Sequence, residues 1–69
     1  MRVLVADGLS QAGLAHLAAH AEVDAYSSLS LGELLRLVGG YNALIVRSAS
    51  QVTAEVIAAG DKLQVIGRA

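Results

Sequence analysis

The sequence predicts an α/β fold built around one open parallel sheet. Short apolar runs alternate along the chain with stretches whose apolar residues recur at helical spacing, and this alternation is typical of βα units. Four runs have the length and composition of strands, and they span residues 3–6, 23–26, 43–46 and 63–67. The predicted order of elements is therefore βαβαβαβ, with a helix in each crossover, as parallel pairing requires.

The charge pattern of the second strand predicts the order of the strands. EVDAY, residues 22–26, places an acidic residue between apolar positions, whereas VLVA and ALIV are apolar throughout, as strands covered on both faces are. Two doubly wound orders compete: 3-2-1-4 would bury the charged strand, and 2-1-3-4 leaves it at an edge. We therefore predict the order 2-1-3-4.

Polar residues mark the starts of the first two helices. Ser10 can cap the first helix. Its predicted buried face consists of Leu14, Leu17, Ala18 and Ala21. In the second helix, Ser30 and Glu33 have the spacing of a capping box, in which each side chain can bond to the backbone N–H of the other residue. The apolar stripe that follows consists of Leu31, Leu34, Leu35 and Val38.

Glycines and a threonine mark the remaining helix boundaries. Gly39 and Gly40 follow the second helix, and we expect a left-handed C-cap there because glycine adopts that conformation at low cost. Thr53 can cap the third helix, with Val52 and Ile57 at the spacing of a hydrophobic staple. Such a staple would set the angle at which the chain leaves the loop after strand 3.

Composition limits the class of protein and its partners. The 69 residues are 55% hydrophobic and include no cysteine, which describes one small domain without disulfides or thiolate metal sites. The net charge is -1 and the five cations are scattered, so we expect no nucleic-acid partner. No apolar run approaches the roughly 18 residues of a membrane helix, and the start has no secretory pattern. We expect a cytoplasmic protein without a membrane partner.

The predicted strand order places a candidate anion site at the carboxyl edge of the sheet. The chain reverses direction between strands 1 and 3, and ligands of such sheets bind in the crevice that opens there, lined here by residues 7–10 and 47–51. Arg47 offers a planar fork of N–H donors suited to a carboxylate or phosphate, and Ser48, Ser50 and the start of the third helix add donors. A solvated arginine that merely ends a strand is the alternative, and the residues alone leave both open.

Three other patterns give no support to further chemistry. Gly8 and Gly13 flank a helix start, but their spacing fits neither a dinucleotide fingerprint nor a phosphate-binding loop with lysine. His16 and His20 have metal-ligand spacing, yet they lie opposite the predicted apolar face and lack a third ligand nearby. Asp7 resembles the acidic residue of phosphoacceptor receiver domains, but an arginine follows strand 3 where a second carboxylate is needed. We expect no metal and no catalytic residue in this chain.

Three segments, RVLVADGLS, ALIVRSASQVTAEVI and KLQVIGRA, together cover much of the chain. In this order they resemble the amino-terminal part of the D-2-hydroxyacid dehydrogenase family, and LIVRSASQVTAEVI followed by LQVIGRA is the specific portion. Members of that family are two-domain enzymes, in which both chain ends form a flavodoxin-like substrate domain and an inserted Rossmann domain binds NAD. The resemblance implies that residues 1–69 form the first half of the substrate domain, without the NAD domain.

The resemblance also implies a reaction and site residues. The reaction would be the NAD-dependent oxidation of 3-phosphoglycerate in serine biosynthesis, with the catalytic groups and the dinucleotide loop in parts absent from this chain. Arg47 and Ser48 match the arginine and serine that approach the phosphoglycerate anion, and Arg68 matches the arginine of the GRA motif. The chain alone is then expected to be inactive, to bind phosphoglycerate-type anions weakly and to hold no cofactor.

The second hypothesis is a free-standing α/β module that acts by self-association. Right-handed crossovers place the first helix on one face of the sheet and the other two helices on the opposite face. The face over strands 3 and 4 would then be under-covered, and strand 4 would end the sheet with unpaired backbone groups. We expect a homodimer that covers this face and the strand 4 edge and buries more than about 1,000 Å².

Overall fold

Strands and helices alternate along the chain in this computed structural model, which describes residues 1–8, 10–47 and 52–68. Within those residues the strands are β1 (Arg2–Val5), β2 (Glu22–Ala25), β3 (Ala43–Val46) and β4 (Val65–Arg68). The helices are α1 (Gln11–Ala18), α2 (Leu31–Leu37) and α3 (Ala54–Ala59), and a 3₁₀ turn spans Val38–Gly40. No helix in these ranges has the length and apolar character needed to cross a membrane. The predicted βαβαβαβ order is confirmed.

The strands form one parallel sheet in the order β2-β1-β3-β4, which confirms the order predicted from the charge of β2. Val5 of β1 lies between Ala25 of β2 and Ile45 of β3, and Val46 of β3 pairs with Arg68 of β4. The two central strands are therefore β1 and β3, whose sequences are apolar after the first residue of β1.

The fourth strand starts two residues later than expected, at Val65. The Leu63 N–H donates to the Gly60 carbonyl at 3.0 Å, which closes a turn, and the Leu63 side chain packs on the core. The chain therefore becomes extended only after this anchoring residue.

Helices cover both faces of the sheet, and each face has its own buried cluster. Side chains alternate along β1, so Leu4 and Ala6 point toward α2 and α3, whereas Val3 and Val5 point toward α1. The larger cluster, on the α2 and α3 side, consists of Leu4, Ala6, Leu34, Val38, Tyr41, Leu44, Val46 and Val56. Because β1 and β3 contribute to both clusters, they need the nearly uninterrupted apolar sequences that they have.

The three helix starts are those predicted. The Ser10 and Thr53 hydroxyls each accept the backbone N–H three residues later, at 3.1 and 3.3 Å. Ser30 and Glu33 form the complete capping box, and the hydrogen bonds from the Ser30 N–H and hydroxyl lower the pKa of the Glu33 carboxyl. Ile57, the second partner of the predicted staple, is exposed.

Several details of helix packing differ from the predictions, and one is that Leu31, predicted to belong to the apolar stripe of α2, is 46% exposed. No described glycine has a positive φ, so Gly39 and Gly40 do not form a left-handed C-cap, and α2 ends in a 3₁₀ turn instead. A Cβ on Gly39 would lie 3.2 Å from the Ala59 carbonyl oxygen, so glycine permits close approach to α3. Ala18, predicted to lie on the buried face of α1, is exposed, since the leucines of α1 carry the contact with the sheet.

The expected gap in the cover of the sheet is smaller than predicted. Ala43 of β3 is buried and Ile45 is half-buried, because the cluster on the α1 side reaches both residues. Of the two strands under this face, β4 keeps exposed apolar side chains, since Val65 is 53% and Ile66 is 38% exposed. The prediction of a bare face was therefore wrong for β3, and exposed apolar area remains at β4.

Candidate anion site at the carboxyl edge of the sheet

The crevice between β1 and β3 forms where their backbone ladder stops. A bond of that ladder runs from the Ala6 N–H to the Ile45 carbonyl at 3.0 Å. Beyond it, the chain after β1 follows β2, and the Gly8 N–H donates to the Ser27 carbonyl at 3.0 Å. The two central strands therefore separate at their carboxyl ends, where sheets of this topology bind ligands.

A buried carboxylate connects the two central strands at the point where they separate. Asp7 is 3% exposed, and its Oδ2 accepts the backbone N–H of Arg47 at 2.6 Å. If the parallel ladder continued, this N–H would donate to the Ala6 carbonyl of the neighbouring strand. The Asp7 side chain thus takes the place of a backbone acceptor, and it ties the first residue after β3 to the end of β1.

The guanidinium of Arg47 is held on the same turn. Its Nη1 donates to the Gly8 carbonyl at 2.8 Å, while the residue as a whole is exposed. Within the described ranges Arg47 forms no ion pair, so its remaining N–H groups can donate to an anion from solvent. The Asp7 carboxylate offsets part of the positive charge, so the site is only moderately cationic.

The other predicted site residues are described in part. Ser48, together with residues 9 and 49–51 of the predicted lining, lies outside the described residues. Arg68 is exposed at the end of β4 and pairs with Val46, the residue before Arg47, so the two arginines share the carboxyl edge on neighbouring strands. In the part of the chain that is described, Arg68 forms no ion pair.

The glycine and histidine patterns have ordinary structural explanations. Gly13 lies inside α1 and donates its N–H to the Ser10 hydroxyl at 3.1 Å, so this N–H does not face a phosphate. His16 and His20 are exposed, with ring centroids 5.4 Å apart. Within residues 1–8, 10–47 and 52–68, no group of three or more potential metal ligands is found.

A second polar cluster, which the sequence analysis missed, lies toward the amino edge of the sheet. We call it the amino-edge cluster, and it consists of Arg2, Glu22, Asp24 and Tyr41. The hydroxyl of Tyr41 donates to the Asp24 Oδ2 at 2.5 Å. The Arg2 guanidinium lies 3.5 Å from the same carboxylate oxygen, 3.7 Å from Glu22 and 4.7 Å from the centre of the Tyr41 ring.

The amino-edge cluster satisfies its own charges. Burial of the Tyr41 phenol and its hydrogen bond to Asp24 raise the pKa of Tyr41 to about 12, so the phenol is neutral at ordinary pH. Arg2 also donates to the Gly40 carbonyl at 3.0 Å, and carboxylates lie on its other side. The signal that could have revealed this cluster is Asp24 of EVDAY, because a carboxylate in a strand can attract a cation or a hydroxyl from the neighbouring strands.

Comparison with known proteins identifies the family. The family described as D-isomer specific 2-hydroxyacid dehydrogenase, catalytic domain, matches residues 3–69. The chain belongs to this family. Among curated relatives, D-3-phosphoglycerate dehydrogenase of Synechocystis sp. is 43% identical over 68 residues, and that of Archaeoglobus fulgidus is 41% identical over 70 residues. These matches cover 99% and 100% of the chain but 12% and 13% of the two relatives.

Solved structures contain the same arrangement of strands and helices within longer chains. The PH0520 protein from Pyrococcus horikoshii matches 97% of this chain with a TM-score of 0.91 and 27% identity. The TT0316 protein from Thermus thermophilus matches 99% with a TM-score of 0.85 and 35% identity. The chain corresponds to 20% and 23% of the lengths of those two chains.

Proposed function

We propose that these 69 residues supply part of the substrate anion site of an NAD-dependent D-3-phosphoglycerate dehydrogenase. The enzyme oxidises 3-phosphoglycerate in the serine pathway, in the cytoplasm, and the part of this chain is to hold negative charge of the substrate. Two relatives with the dehydrogenase name are 43% and 41% identical to it, which supports the substrate class. The site itself supports the role, because an exposed arginine lies at the switch point of the sheet.

Arg47 carries this proposal. Its backbone is tied to Asp7 and one Nη1 hydrogen to Gly8, so the rest of the guanidinium is directed outward for a carboxylate or phosphate. Arg68, at the same edge, is proposed to add donors, and so is Ser48, which lies outside the described residues. One charge-assisted pair contributes roughly 1.5 to 3 kcal/mol, which is too little for tight binding, so we expect weak and salt-sensitive affinity.

The test is an NMR titration of the ¹⁵N-labelled chain with 3-phosphoglycerate. We expect saturable shifts around Arg47 with a dissociation constant on the order of millimolar, lost in Arg47→Ala. Arg36→Ala is the matched control, because Arg36 is an exposed arginine in the last turn of α2, away from the carboxyl edge. Unchanged binding in Arg47→Ala would contradict the assignment.

The described residues do not fit a dinucleotide. Gly13 lies inside α1 with its N–H already bonded, and no glycine fingerprint follows a strand. We therefore propose that the 69-residue chain by itself binds no NAD and has no dehydrogenase activity. Calorimetric titration with NADH should give no saturable heat, and binding in the micromolar range would overturn this part of the proposal.

A second function, self-association, is favoured by the exposed apolar residues of β4. Val65 and Ile66 lie on opposite faces of an edge strand, and Ile57 and Leu63 line a groove of about 240 Å³ beside it. We propose a homodimer in which a second copy covers this edge and groove. Sedimentation equilibrium should give the mass of two chains, and a 7.1 kDa species at about 100 μM would refute the dimer.

A further inference from the structure

We propose that Asp7 is a positioning residue for the anion site: its carboxylate sets the point at which the chain leaves β3 and thereby aims the Arg47 guanidinium into the crevice. The inference rests on the proposed function of Arg47 as the anion ligand. Asp7 itself is only 3% exposed, so it is proposed to act through Arg47 and not by touching the substrate.

The fold alone does not require a carboxylate at this position. A parallel ladder continued by one residue would pair the Arg47 N–H with the Ala6 carbonyl and bury no charge. Burying a carboxylate is unfavourable unless strong hydrogen bonds compensate it, and the 2.6 Å bond from the Arg47 N–H is of the short, charge-assisted kind. Because a side-chain oxygen replaces the backbone carbonyl as acceptor, the Arg47 backbone N–H is not bonded to the backbone of β1 at the start of the crevice.

The next residue holds the other end of the same arginine. The Gly8 carbonyl accepts from Nη1 at 2.8 Å, while its N–H is bonded to the Ser27 carbonyl at 3.0 Å. Arg47 is therefore attached at its backbone to Asp7 and at its guanidinium to Gly8, and Gly8 is anchored in turn on the segment after β2. An arginine held in this way loses less conformational freedom when an anion binds.

The charge of Asp7 acts in the opposite direction to its geometry. A negative carboxylate near the site weakens anion binding through its charge, whereas the hydrogen bond that orders the Arg47 backbone strengthens it. Two substitutions separate these effects. Asp7→Asn keeps an oxygen acceptor and removes the charge, and Asp7→Ala removes both.

The experiment measures dissociation constants for 3-phosphoglycerate and for inorganic phosphate by NMR on the ¹⁵N-labelled chain. Asp7→Asn should bind as tightly as the unsubstituted chain or more tightly, and Asp7→Ala should bind about fivefold more weakly than Asp7→Asn. Asp61→Asn is the control, because it makes the same charge change at an exposed turn and should leave both constants unchanged. Equal affinities for Asp7→Ala and Asp7→Asn would mean that Asp7 acts through charge alone, which overturns the proposal.

A second readout is independent of anion binding. The bond predicts a scalar coupling between the Arg47 backbone ¹⁵N and the Asp7 ¹³Cγ, and ordered Nε relaxation for Arg47 that Asp7→Asn preserves and Asp7→Ala loses. If Asp7→Ala does not fold, the test uses Asp7→Asn alone. The scalar coupling and the ordered Nε relaxation of Arg47 should both be present in that variant, and the absence of either contradicts the positioning role. If both are present but no form of the chain binds either anion, the proposed function fails while the positioning of Arg47 stands.

Discussion

The two edges of the sheet meet solvent in opposite ways. At the β2 edge, Glu22 and Asp24 alternate with apolar residues, and Arg2 bridges toward both carboxylates. At the β4 edge, Val65 and Ile66 are both partly exposed, and the one charged residue of the strand, Arg68, lies at its end. An edge with charged residues resists pairing with another strand, whereas an apolar edge invites it. The difference teaches that β2 has the sequence of a terminal strand and β4 that of a strand covered on both sides.

The largest effect is expected from a charge introduced into β4, the edge strand with exposed apolar residues. Ile66→Lys places a charge in the proposed dimer contact, and we expect the dissociation constant of the dimer to rise about 100-fold because the ammonium would be buried without a partner. Ala25→Lys, at the exposed end of β2, should leave it unchanged. Sedimentation over a range of concentrations measures both, and dissociation by Ala25→Lys alone would assign the interface to the β2 edge.

The second prediction concerns Asp24, whose charge is expected to prevent the β2 edge from pairing with another chain. Asp24→Val turns the charged edge into an apolar one, so the chain would carry two edges open to pairing and should form species larger than a dimer. Asp61→Val adds the same side chain in an exposed turn and serves as the control. Light scattering measures the mass, and an average mass equal to that of the unsubstituted chain at every concentration would mean that Asp24 does not protect the edge.

The third prediction concerns the phenol of the amino-edge cluster. Tyr41→Phe removes the 2.5 Å bond to Asp24, and we expect the free energy of unfolding at neutral pH to fall by about 1 kcal/mol. Because the folded-state pKa is raised from 10.0 to about 12, the neutral phenol stabilises the fold fully below pH 10, and this contribution is lost as the pH rises toward 12.

Urea unfolding at several pH values measures that loss. The unsubstituted chain should lose stability faster than Tyr41→Phe between pH 10 and 12. Tyr26→Phe is the control, because Tyr26 is exposed and its replacement should preserve the steeper slope. Parallel slopes for the unsubstituted chain and Tyr41→Phe would contradict the raised pKa of Tyr41.

The smallest effect is expected at the outermost ion pair. The Arg2 Nε lies 3.7 Å from the Glu22 Oε2, and both side chains are at least half exposed, so Glu22→Gln should change the free energy of unfolding by less than about 0.5 kcal/mol. Chemical denaturation at low and high salt measures this. A loss above about 1 kcal/mol would mean that the pair, and not Asp24, organises this edge.

Much of the fold could be predicted because its signals are local. The charge of Asp24 between apolar positions placed β2 at an edge, and Ser30 with Glu33 marked the start of α2 within four residues of sequence. The errors arose where packing between elements determines the local conformation. Gly39 permits close approach to α3 and does not supply a left-handed turn, and the start of β4 depends on where Leu63 meets the core.

The position of the candidate site could be predicted from the sequence, but the hydrogen bonds that hold its residues could not. Strand order alone put Arg47 at the switch point, since the carboxyl ends of parallel strands share one edge. The sequence analysis compared Asp7 with a pair of carboxylates, whereas one of its partners is a backbone N–H 40 positions away. Every residue except proline has such an N–H, so the sequence contains no side-chain signal from which this contact could be predicted.

The sequence by itself determined the element order, the strand order, the helix starts and the family to which the chain belongs. These follow from periodicity, capping and charge, which act between residues close in the chain, and from segments specific to 2-hydroxyacid dehydrogenases. Only the tertiary structure decided that Asp7 replaces a ladder acceptor and that Arg2, Asp24 and Tyr41 form one cluster. Both arrangements join groups on different strands, and their geometry exists only once the parallel sheet has set the distances between those strands.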